Sequence, residues 1–590
     1  MNPCGKPNTF DPFFKYLPLK HNHSSGKSLS SIILASSAGT LIEWYDFFLF
    51  GSLATIISTT FFPKEKPTAS FLATLATFSA GLIVRPLGAL IFGRLGDLIG
   101  RKHTFMVTLS IMGFCTIGMG FVPGYDSIGY LAPLIVLILR LLQGLALGGE
   151  YGGAAVYIAE HSPDNKRGFL TSWIQSTSGL AFILSVTVIL FIKSLMPEKT
   201  WLQWGWRIPF IASVLLIGIS VFIRSKMAES PLFAKAKSEG RTSKNPLRDS
   251  FRNKSNLKIV LLAFFGLTLG GGVIGWITFY AQSFFLKTLM LDYSQANTII
   301  IIGILLGVPF FFLFGWLSDK IGRKGLMMFG MLTGVLTFKP IFQEMHRIAY
   351  PENDQKIIVD SVQNISSNTF QSNTTQYVYN DGSSRTVLKN NSSEIIQSVR
   401  LSKTSQWKMI FMIFLLQFIF TLAYGPLAAY MVELFPLKIR YTSISLPYHF
   451  GMGIFGGLAP YFASYLADKA KAAGKSDFYL AGLNYPIVLT AISVIVGIIY
   501  LRENDSRFSF QPIGKNLLNL IRKWLGLIWI ASGILSIWFG IVEVGIPRLL
   551  SGRQEDIVFG IILTFIITPS ISFAFLTFGR YALRGEYNLE

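Results

Sequence analysis

The chain has 590 residues, of which 51% are hydrophobic and only 14% are charged, and its mean hydropathy is +0.49. A soluble globular protein of this length needs far more polar surface, so the composition excludes that class and indicates a membrane protein with many spans. The 52 basic and 31 acidic residues leave a formal net charge of +21. In a membrane protein such an excess is first explained by basic loops on the cytoplasmic side, so we predict no nucleic-acid partner.

Apolar runs of about 20 residues, long enough to cross a bilayer as a helix, recur along the chain. They are too long for the strands of a transmembrane barrel, which would leave short alternating segments. The predicted fold class is therefore an all-α polytopic membrane protein. We place about fourteen spans at 32–57, 71–93, 104–122, 131–159, 169–192, 206–224, 259–286, 296–316, 326–342, 407–432, 443–466, 482–501, 524–547 and 557–579.

The loops between these spans alternate in charge. One side holds SPDNKRG, FPLKIRY, two copies of a glycine-rich loop and the basic segment 224–258, whereas PGYDSIGY on the other side has no basic residue. This asymmetry predicts that both termini lie in the cytoplasm and that the protein lies in the cell (inner) membrane. We expect the basic segment to be a solvated linker that also contacts anionic membrane lipids.

Two internal repeats divide the chain. GRLGDLIGRK at 93–102 matches GWLSDKIGRK at 315–324 at seven of ten positions, and EHSP at 160–163 has a counterpart in ELFP at 433–436. Repeats that recur in order, each at a loop on the same side, indicate a membrane protein built from two related halves. The predicted domains are a cytoplasmic segment 1–31, a six-helix half 32–224, a basic linker 225–258, a six-helix half 259–501 with a polar outward-facing insert 343–406, a linker 502–523, and two additional helices with a short tail 524–590.

Two carboxylates in the first span are the strongest candidates for a functional site. Glu43 and Asp46 stand three residues apart in the run 32–62, which holds no other charge. Each would cost roughly 2.5–3.5 kcal/mol at the centre of a lipid-facing helix, and their spacing puts both on one face, so that face is predicted to look into the bundle or a hydrated cavity. Ionisable residues at this depth are functional candidates by default, and the alternative is a fixed ion pair that only joins helices. The intramembrane charges that could accompany them are Arg85, Arg140 and Glu150.

The repeated glycine-rich loop has the composition of a latch. Asp97 ends a span and can accept hydrogen bonds from amides at the end of a neighbouring helix, while Arg101 can bridge to a carboxylate across the bundle. Glycines at 93 and 100 permit a tight turn and close approach of backbones. The alternative is a basic loop that only sets topology. The second copy repeats these positions as Asp319, Gly322 and Arg323.

Acidic residues that could accept these arginines close spans four and ten. Glu160 and Glu433 each lie a few residues before basic positions, which include Arg440 in the second half. A surface ion pair contributes little in water. Shared among several charges at the edge of a helix bundle, such a pair can bias one conformation over another. The predicted gating residues are Gly93, Asp97, Gly100, Arg101, Glu160, Asp319, Gly322, Arg323, Glu433 and Arg440.

Several of these segments together resemble a known family. GRLGDLIGRK and its second copy are similar to the loop signature of the major facilitator superfamily, and RLLQG at 140–144 is similar to its span-four motif. Over about residues 30–505 the joined set resembles the metabolite:proton symporter family, which includes bacterial proline/betaine, α-ketoglutarate and shikimate transporters. That set consists of EWYDF, VRPLGALIFGRLGDLIGRK, RLLQGLALGGEYGGAAVYIAEHSPDNKRG, WGWRIPF and YMVELFPLKIRYTSISLPYH.

The resemblance implies the major facilitator fold of two six-helix halves, here with two extra C-terminal transmembrane helices. It also implies a gating role for the loop residues of both copies, Asp97, Arg101, Asp319 and Arg323. In that fold spans one, four, seven and ten line a central cavity. The substrate and proton pathway expected there consists of Glu43, Asp46, Arg85, Arg140, Glu150, Gln282, Gln417 and Tyr424. The polar insert and the two last helices depart from the usual twelve-span pattern.

The expected function is secondary active transport of a small organic solute by proton symport through alternating access. A cavity with arginine and carboxylates suits a zwitterionic osmolyte or an organic acid, and the motifs do not choose between them. We expect the proton to be the coupling ion and expect no metal, cofactor or enzymatic activity. The alternatives are a uniporter or antiporter of the same fold, or a transporter-like solute sensor. The sequence does not predict the oligomeric state.

Overall fold

The computed structural model describes residues 29–588, except for 66, 100, 226–238, 240–251, 253, 352–355, 368–369, 380, 391–392, 437–438, 504–514, 553–555, 558–559 and 562. Within these ranges the chain is mainly helical. Twelve helices are long and apolar enough to span a membrane, and a bent helix pair at the N-terminal end is a thirteenth. The remaining predicted span, 443–466, corresponds to a helix whose middle segment is π-helical.

The fourteen helices follow one another along the chain. We number them α1 (Leu29–Ser52, continued by Ala54–Phe61), α2 (Ser70–Gly96), α3 (His103–Phe121), α4 (Leu131–His161), α5 (Asp164–Ser194), α6 (Gly205–Ser225), α7 (Lys254–Thr288), α8 (Tyr293–Ile321), α9 (Arg323–Ala349), α10 (Lys403–Leu434), α11 (Arg440–Tyr448, His449–Gly456 and Ala459–Ala472), α12 (Phe478–Tyr500), α13 (Asn516–Leu549) and α14 (Leu563–Leu583). Two short helices, Tyr125–Ile128 and Glu198–Gln203, lie in loops.

Three elements differ from their sequence-based predictions. The first span is not one straight helix, because its two segments meet at an angle of 62° around Leu53. Helix α9 continues to Ala349, so the insert predicted to start at 343 begins after that helix. Helix α11 is π-helical over His449–Gly456, where the sequence HFGMGIFG has glycine at three of eight positions. π-helical turns widen a helix locally and are frequent at functional sites.

Helices α1–α6 and α7–α12 form two halves that meet along matching pairs. Helix α5 packs on α8, and α2 packs on α11. The two glycine-rich loops, which join α2 to α3 and α8 to α9, lie at one end of the bundle, which we call the signature end. The opposite end carries the insert between α9 and α10, and we call it the insert end.

The insert folds as a four-stranded antiparallel meander rather than as a featureless polar loop. Its strands are β1 (Lys356–Ser367), β2 (Phe370–Tyr379), β3 (Ser384–Asn390) and β4 (Ser393–Arg400), in that spatial order. β4 is attached to the turn between α7 and α8. The amide of Val399 donates to the carbonyl of Met290 over 2.7 Å, and the amide of Asp292 donates to the carbonyl of Val399 over 2.9 Å. The sheet is therefore held directly against the insert end of the second half.

The two additional helices form an antiparallel pair on the outside of the second half. Helices α13 and α14 pack extensively on each other and also contact α12 and α7. Aromatic rings fill this contact: Phe575 lies 4.7 Å from Phe265 of α7, and Phe578 lies 5.2 Å from Tyr500 of α12, measured between ring centroids. We call residues 515–588 the C-terminal unit.

Close packing of α2 against α4 depends on glycine. A Cβ at Gly144 would overlap the backbone carbonyl of Gly81, and one at Gly148 would overlap that of Arg85. Small residues of this kind let helix backbones approach in a membrane, where no hydrophobic effect drives helix association. This contact fixes the depth and orientation of Arg85, which belongs to the candidate site below.

We predict that Gly144→Ala lowers the stability of the folded protein, because the added methyl group must push two backbones apart, an effect of about 1–3 kcal/mol. Gly218 is the matched control, since a Cβ there meets no atom within 4 Å. Gly218→Ala should leave stability unchanged or raise it by about 0.5–1 kcal/mol. Thermal unfolding in detergent, followed by size-exclusion chromatography, measures both variants. Equal Tm values for the two would contradict the packing argument.

Candidate functional site

A buried charge triad joins three helices of the first half. One guanidinium nitrogen of Arg224, at the end of α6, binds Glu43 of α1, and Nη1 lies 2.9 Å from Oε2 and 3.0 Å from Oε1 of Glu150 on α4. The hydroxyl of Thr108 on α3 also donates to Glu150. The side chains of Arg224, Glu43 and Glu150 are 5%, 0% and 2% exposed. Two carboxylates therefore share one arginine away from solvent.

Arg224 is the residue of this site that the sequence analysis missed. It was assigned to the basic segment 224–258, whose residues from 226 to 253 lie almost wholly outside the described part of the chain. Instead of facing solvent, Arg224 is 4% exposed and is the last basic residue of α6. Its position at the end of an uninterrupted apolar run was the available signal, but a basic residue there is more often topogenic.

Asp46 lies one helical turn from Glu43 and also faces α6. Its carboxylate lies beside the hydroxyls of Ser213 on α6 and Thr116 on α3. Oδ1 of Asp46 has no hydrogen-bond partner among the described residues, and the residue is 2% exposed. Both acids thus point into the first half, as their spacing predicted. They do not point into the space between the two halves.

Arg85 is a buried cation that no carboxylate of the described residues binds. It is 1% exposed, and Nε, Nη1 and Nη2 all lack a hydrogen-bond partner within the described part of the chain. Its guanidinium carbon lies 4.6 Å from the ring centroid of Trp44 and 5.2 Å from that of Phe47. Cation–π contacts compensate only part of the cost of burying a charge, so this site favours the arrival of an anion.

Arg140 is the second cation that no carboxylate neutralises in the described structure. Its Nη1 donates to Oε1 of Gln143 over 2.8 Å, and Nε2 of Gln143 donates to Oγ1 of Thr116 over 2.7 Å. The guanidinium carbon lies 4.1 Å from the ring centroid of Phe47 and 4.5 Å from that of Phe50. Thr116 therefore links Arg140 to Asp46 through one amide and one hydroxyl.

A polar cluster from both halves stands near Arg85. The hydroxyls of Tyr424 on α10 and Tyr448 on α11 are 2.5 Å apart, and the ring of Tyr448 stacks on that of Tyr151 of α4 at 3.5 Å. Neither the ring nitrogens of His449 nor the hydroxyl of Tyr151 has a hydrogen-bond partner among the described residues. Buried polar groups without partners are uncommon in native structures and indicate a place for a ligand or water.

A cavity between the halves is lined mainly by aromatic side chains. Centres of water-sized molecules can occupy about 40 Å³ of it. Nε2 of Gln417 and Oγ1 of Thr278 face this space without hydrogen-bond partners in the described structure. The lining residues are Trp44, Phe48, Ser178, Gly179, Phe182, Gly275, Trp276, Thr278, Phe279, Ile304, Gln417, Phe420 and Met452.

Most residues of the predicted substrate and proton pathway lie outside the lining of this cavity. Only Gln417 of the predicted pathway residues lines this cavity. Nε2 of Gln282 donates to Oδ1 of Asn297 over 2.7 Å inside the second half. Span one contributes Trp44 and Phe48 instead of its acids, because its opposite face turns to the other half. The predicted residues absent from the lining are Glu43, Asp46, Arg85, Arg140, Glu150, Gln282 and Tyr424.

At the signature end, the second-copy loop grips the first half. The carboxylate of Asp319 accepts hydrogen bonds from the amides of Gly168 and Phe169, the first turn of α5, over 2.8 and 2.9 Å. A carboxylate at a helix N-terminus is stabilised by the free amides and by the helix dipole. Arg323 lies 3.0 Å from Asp319. Gly322, at φ 91°, makes the turn that brings α9 back beside α8.

The glutamate of each EHSP-like repeat forms an ion pair with the arginine that follows the repeat of the other half. Arg167 of the first half lies 3.0 Å from Glu433 of the second half, and Arg323 also binds Glu433. In the pseudo-symmetric position, Arg440 of the second half lies 3.7 Å from Glu160 of the first half. We call Asp319, Arg323, Glu433 and Arg167 the latch. Its charges hold the signature end closed in this conformation.

Among the described residues of the first-copy loop, glycines lie at the contact with the other half. The side chains of Asp97 and Arg101, and the residue Gly100, lie outside the described part of the structure. Gly93 packs 3.4 Å from the ring of Tyr441 at the start of α11, counted from its ideal Cβ position. The hydroxyl of Tyr441 donates to the carbonyl of Gly149 in the other half. Repeated glycines thus support matching α2–α11 and α8–α5 contacts.

The insert end is closed as well. The hydroxyl of Tyr293 donates to the carbonyl of Ser52 over 3.3 Å, and Oγ of Ser79 donates to the carbonyl of Gly457 over 3.0 Å. The ammonium group of Lys287 lies 3.7 Å from the ring centroid of Phe71. Each of these contacts joins one half to the other. The two halves are therefore in contact at both ends, with the cavity between them.

Comparison with known proteins is consistent with this architecture. A family model described as "Sugar (and other) transporter" matches residues 31–258, and one described as "Family of unknown function (DUF6814)" matches 518–589. The chain is 36% identical to the proline/betaine transporter of Escherichia coli over 323 residues, 53% of this chain and 64% of that protein. It is 34% identical to the shikimate transporter of the same organism, over 53% of this chain and 72% of that protein.

Similarity extends further along the chain in other relatives. The citrate-proton symporter of Klebsiella pneumoniae is 29% identical over 77% of this chain and 90% of its own length. A solved structure of the major facilitator proton:xylose symporter XylE superimposes with a TM-score of 0.56 at 17% identity, covering 80% of this chain and 94% of that one. The fold is therefore that of a major facilitator protein, which confirms the predicted fold class. The chain belongs to the metabolite:proton symporter family of that superfamily, a family of transporters rather than enzymes.

We predict that Glu433→Gln opens the signature end, because Glu433 is the acceptor that two arginines from different halves share. Asp164→Asn is the matched control, since Asp164 also pairs with Arg167 but belongs to the same half and is 60% exposed. A cysteine at Ser445, which packs against Gly152 at the interface, reports opening through its rate of reaction with a maleimide in nanodiscs.

Glu433→Gln should raise that rate several-fold, and Asp164→Asn should leave it unchanged. The native Cys4 and Cys115 are replaced by serine in all variants. Equal rates in the parent and in Glu433→Gln would show that Glu433 does not hold the two halves together.

Proposed function

We propose that this protein is a secondary transporter that moves a small zwitterionic solute together with a proton by alternating access. The observation that carries the proposal is the unequal pairing of buried charges in the first half. Arg224 binds two carboxylates, whereas Arg85 and Arg140 have none among the described residues. Buried charges left in such an arrangement are costly, so the site favours both a proton and an anion.

The proton belongs at the triad. Two carboxylates close to one cation do not both keep a full negative charge easily, and a shared proton removes the repulsion between them. When Glu43 or Glu150 is protonated, the triad with Arg224 is neutral. When the proton leaves, the triad carries one negative charge. This charge acts on Arg85, whose guanidinium contacts the ring of Trp44, the residue that follows Glu43. Loading of the triad and loading of Arg85 are therefore electrostatically linked.

The solute belongs between Arg85 and the aromatic cavity. Trp44 lies in both sites, since its ring contacts the Arg85 guanidinium and also lines the cavity. A carboxylate bound to Arg85 would place the rest of a small molecule among Trp276, Phe279 and Phe420. Aromatic faces attract organic cations, above all alkylated ammonium groups. A molecule with a carboxylate at one end and an ammonium at the other satisfies both parts.

The relatives support this chemistry without choosing the solute. Their names include proline, betaine, shikimate and citrate as solutes. An organic acid is the second candidate, because Arg85 and Arg140 together offer two positive charges. The cavity itself has no charged lining residue, which favours the zwitterion. Uptake by proteoliposomes of labelled glycine betaine, proline, shikimate and citrate, with and without a proton gradient, tests the assignment.

The direction of transport follows from the membrane potential. One proton crossing about 100 mV supplies about 2.3 kcal/mol, which corresponds to roughly fifty-fold accumulation of a neutral solute. The basic loops of the signature end would face the cytoplasm, so an inward proton would leave there. A uniporter would show uptake that survives an uncoupler, and a sensor would bind solute without net flux.

We predict that Glu43→Gln abolishes gradient-driven accumulation, because glutamine mimics a permanently protonated triad. Exchange of labelled for unlabelled solute should persist, since exchange does not require proton release. Asp46→Asn should also abolish accumulation. Glu198→Gln, at an acid that is 75% exposed, is the control and should behave as the parent protein. Accumulation at the parent level in both Glu43→Gln and Asp46→Asn would reject the proposed coupling.

We predict that Arg85→Gln weakens solute affinity by a factor of ten or more, since a hydrogen bond to a charged group contributes about 1.5–3 kcal/mol. The loss should depend on the carboxylate of the solute. Glycine betaine and choline share the trimethylammonium group but only betaine has a carboxylate. Competition assays in proteoliposomes should therefore show a large loss for betaine and little change for choline. Equal losses for both would exclude Arg85 as the carboxylate site.

A further inference from the structure

The end of α12 is a junction of three parts of the molecule. The last carbonyls of a helix have no partner within it and must be satisfied from outside. Nζ of Lys324 donates to the carbonyls of Ile498 and Leu501 over 3.0 and 2.7 Å, and its amide donates to Oε2 of Glu503 over 2.9 Å. Lys324 directly follows Arg323 of the latch. We call residues 498–503 the α12 junction.

The acidic side of the latch reaches the same junction. The hydroxyl of Tyr430 on α10 donates to the carbonyl of Arg502. Tyr430 precedes Glu433 by about one helical turn and is fully buried. Two of the three second-half members of the latch, Arg323 of α9 and Glu433 of α10, thus have a close sequence neighbour bonded to the α12 junction. A shift of the junction must displace both.

The C-terminal unit holds the junction from the other side. Nε and Nη2 of Arg522 donate to the carbonyl of Ile499 over 2.9 and 2.6 Å, and Nη1 donates to the carbonyl of Tyr587 over 2.8 Å. In return, the hydroxyl of Tyr500 donates to the carbonyl of Arg522 over 2.9 Å. Arg522 is 2% exposed, so these bonds form away from water.

Two further contacts tie the tail to this end of the bundle. Nη2 of Arg502 donates to the carbonyl of Asn588 over 3.1 Å. Lys258 at the start of α7 pairs with Glu586, and the hydroxyl of Tyr587 donates to the carbonyl of Lys258 over 3.4 Å. The C-terminal unit therefore contacts α7 and α12 where both helices reach the signature end. None of the described residues that line the cavity belongs to the C-terminal unit.

We propose that the C-terminal unit regulates the latch: by capping the end of α12 through Arg522, it holds the α12 junction in the position that keeps Arg323 bound to Glu433 and Glu433 bound to Arg167 of the first half. A change in the packing or the lipid surroundings of α13 and α14 then alters the balance between the closed and open signature end. The unit is a conformational regulator, not a part of the transport path. This inference rests on the gating step of the proposed function.

The physical basis is a pair of states that the junction biases. The latch bonds that join the two halves, from Arg167 to Glu433 and from the first turn of α5 to Asp319, require a closed signature end. Any contact that positions Glu433 for Arg167 therefore favours the closed state. Coupling between two such sites typically changes an equilibrium by roughly five- to 150-fold. A unit that only stabilised the fold would instead affect the closed and open states equally.

The test measures the closed–open equilibrium directly, without transport. Spin labels on cysteines at Lys166 and Lys320, exposed positions on either side of the latch, report the distance between the two halves in nanodiscs. Arg522→Gln is expected to raise the population of long distances about five-fold or more. Arg580→Gln, at an exposed arginine of the same unit, is the matched control and is expected to leave the distribution unchanged.

A double-mutant cycle separates regulation from general destabilisation. Tyr430→Phe removes the bond between α10 and the junction, and it is expected to raise the same population. Because both changes interrupt one path, Arg522→Gln combined with Tyr430→Phe should shift the equilibrium no further than the larger single change. If Arg522→Gln does not fold, Arg522→Lys keeps the charge and loses the paired bonds to Ile499, and the same shift is expected.

Each outcome decides between the proposals. A parent-like distribution in a folded Arg522 variant, while Glu433→Gln lengthens the distance, would overturn the regulatory role and leave the gating role intact. Additive shifts in the double mutant would likewise overturn it, since the two contacts would then act independently. Unchanged distances in both the Arg522 and Glu433 variants would overturn the latch together with its regulation.

Discussion

The binding of two carboxylates by one arginine within the membrane governs the rest of this site. Arg224 binds Glu43 and Glu150, whereas no carboxylate among the described residues binds Arg85 or Arg140 directly. Those two guanidinium groups rest on aromatic rings instead, in a region closed to solvent. A site with both an excess anion and an uncompensated cation has two ways of becoming neutral, and they involve different ligands. The two imbalances of charge therefore lie on different residues of the first half.

Pseudo-symmetry explains how closure is achieved at low cost. Each half offers an acid at the end of one helix and an arginine a few residues later, and each pairs with its counterpart in the other half. These ion pairs are partly buried, and Asp319 beside them binds the amides at the start of α5, so they have more effect than exposed pairs of the same composition. Contacts that are this local can be broken and remade without unfolding either half.

The sequence predicted the family, the helical fold and the inward orientation of Glu43 and Asp46, because each depends on composition or on local spacing. The comparisons confirm the first two. It did not predict Arg224 as the partner of Glu43, since the contact joins residues 181 positions apart and a basic residue at a helix end is usually topogenic. It also missed the aromatic cavity. The chain has 51 phenylalanines and 11 tryptophans spread through the spans, so those that line the cavity do not stand out in the sequence. The sheet in the insert was not predicted, because the polar composition of the segment obscured the alternation of apolar and polar residues along its strands.

The break in α1 gives the two ends of the molecule mechanical independence. Residues 29–52 carry Glu43 of the charge triad and one wall of the cavity, while Ala54–Phe61 runs at 62° toward the insert end. A straight helix through both regions would transmit every tilt of its outer portion to Glu43. The bend at Leu53 allows the outer portion to tilt while Glu43 stays bound to Arg224, so the insert end can rearrange without breaking the triad.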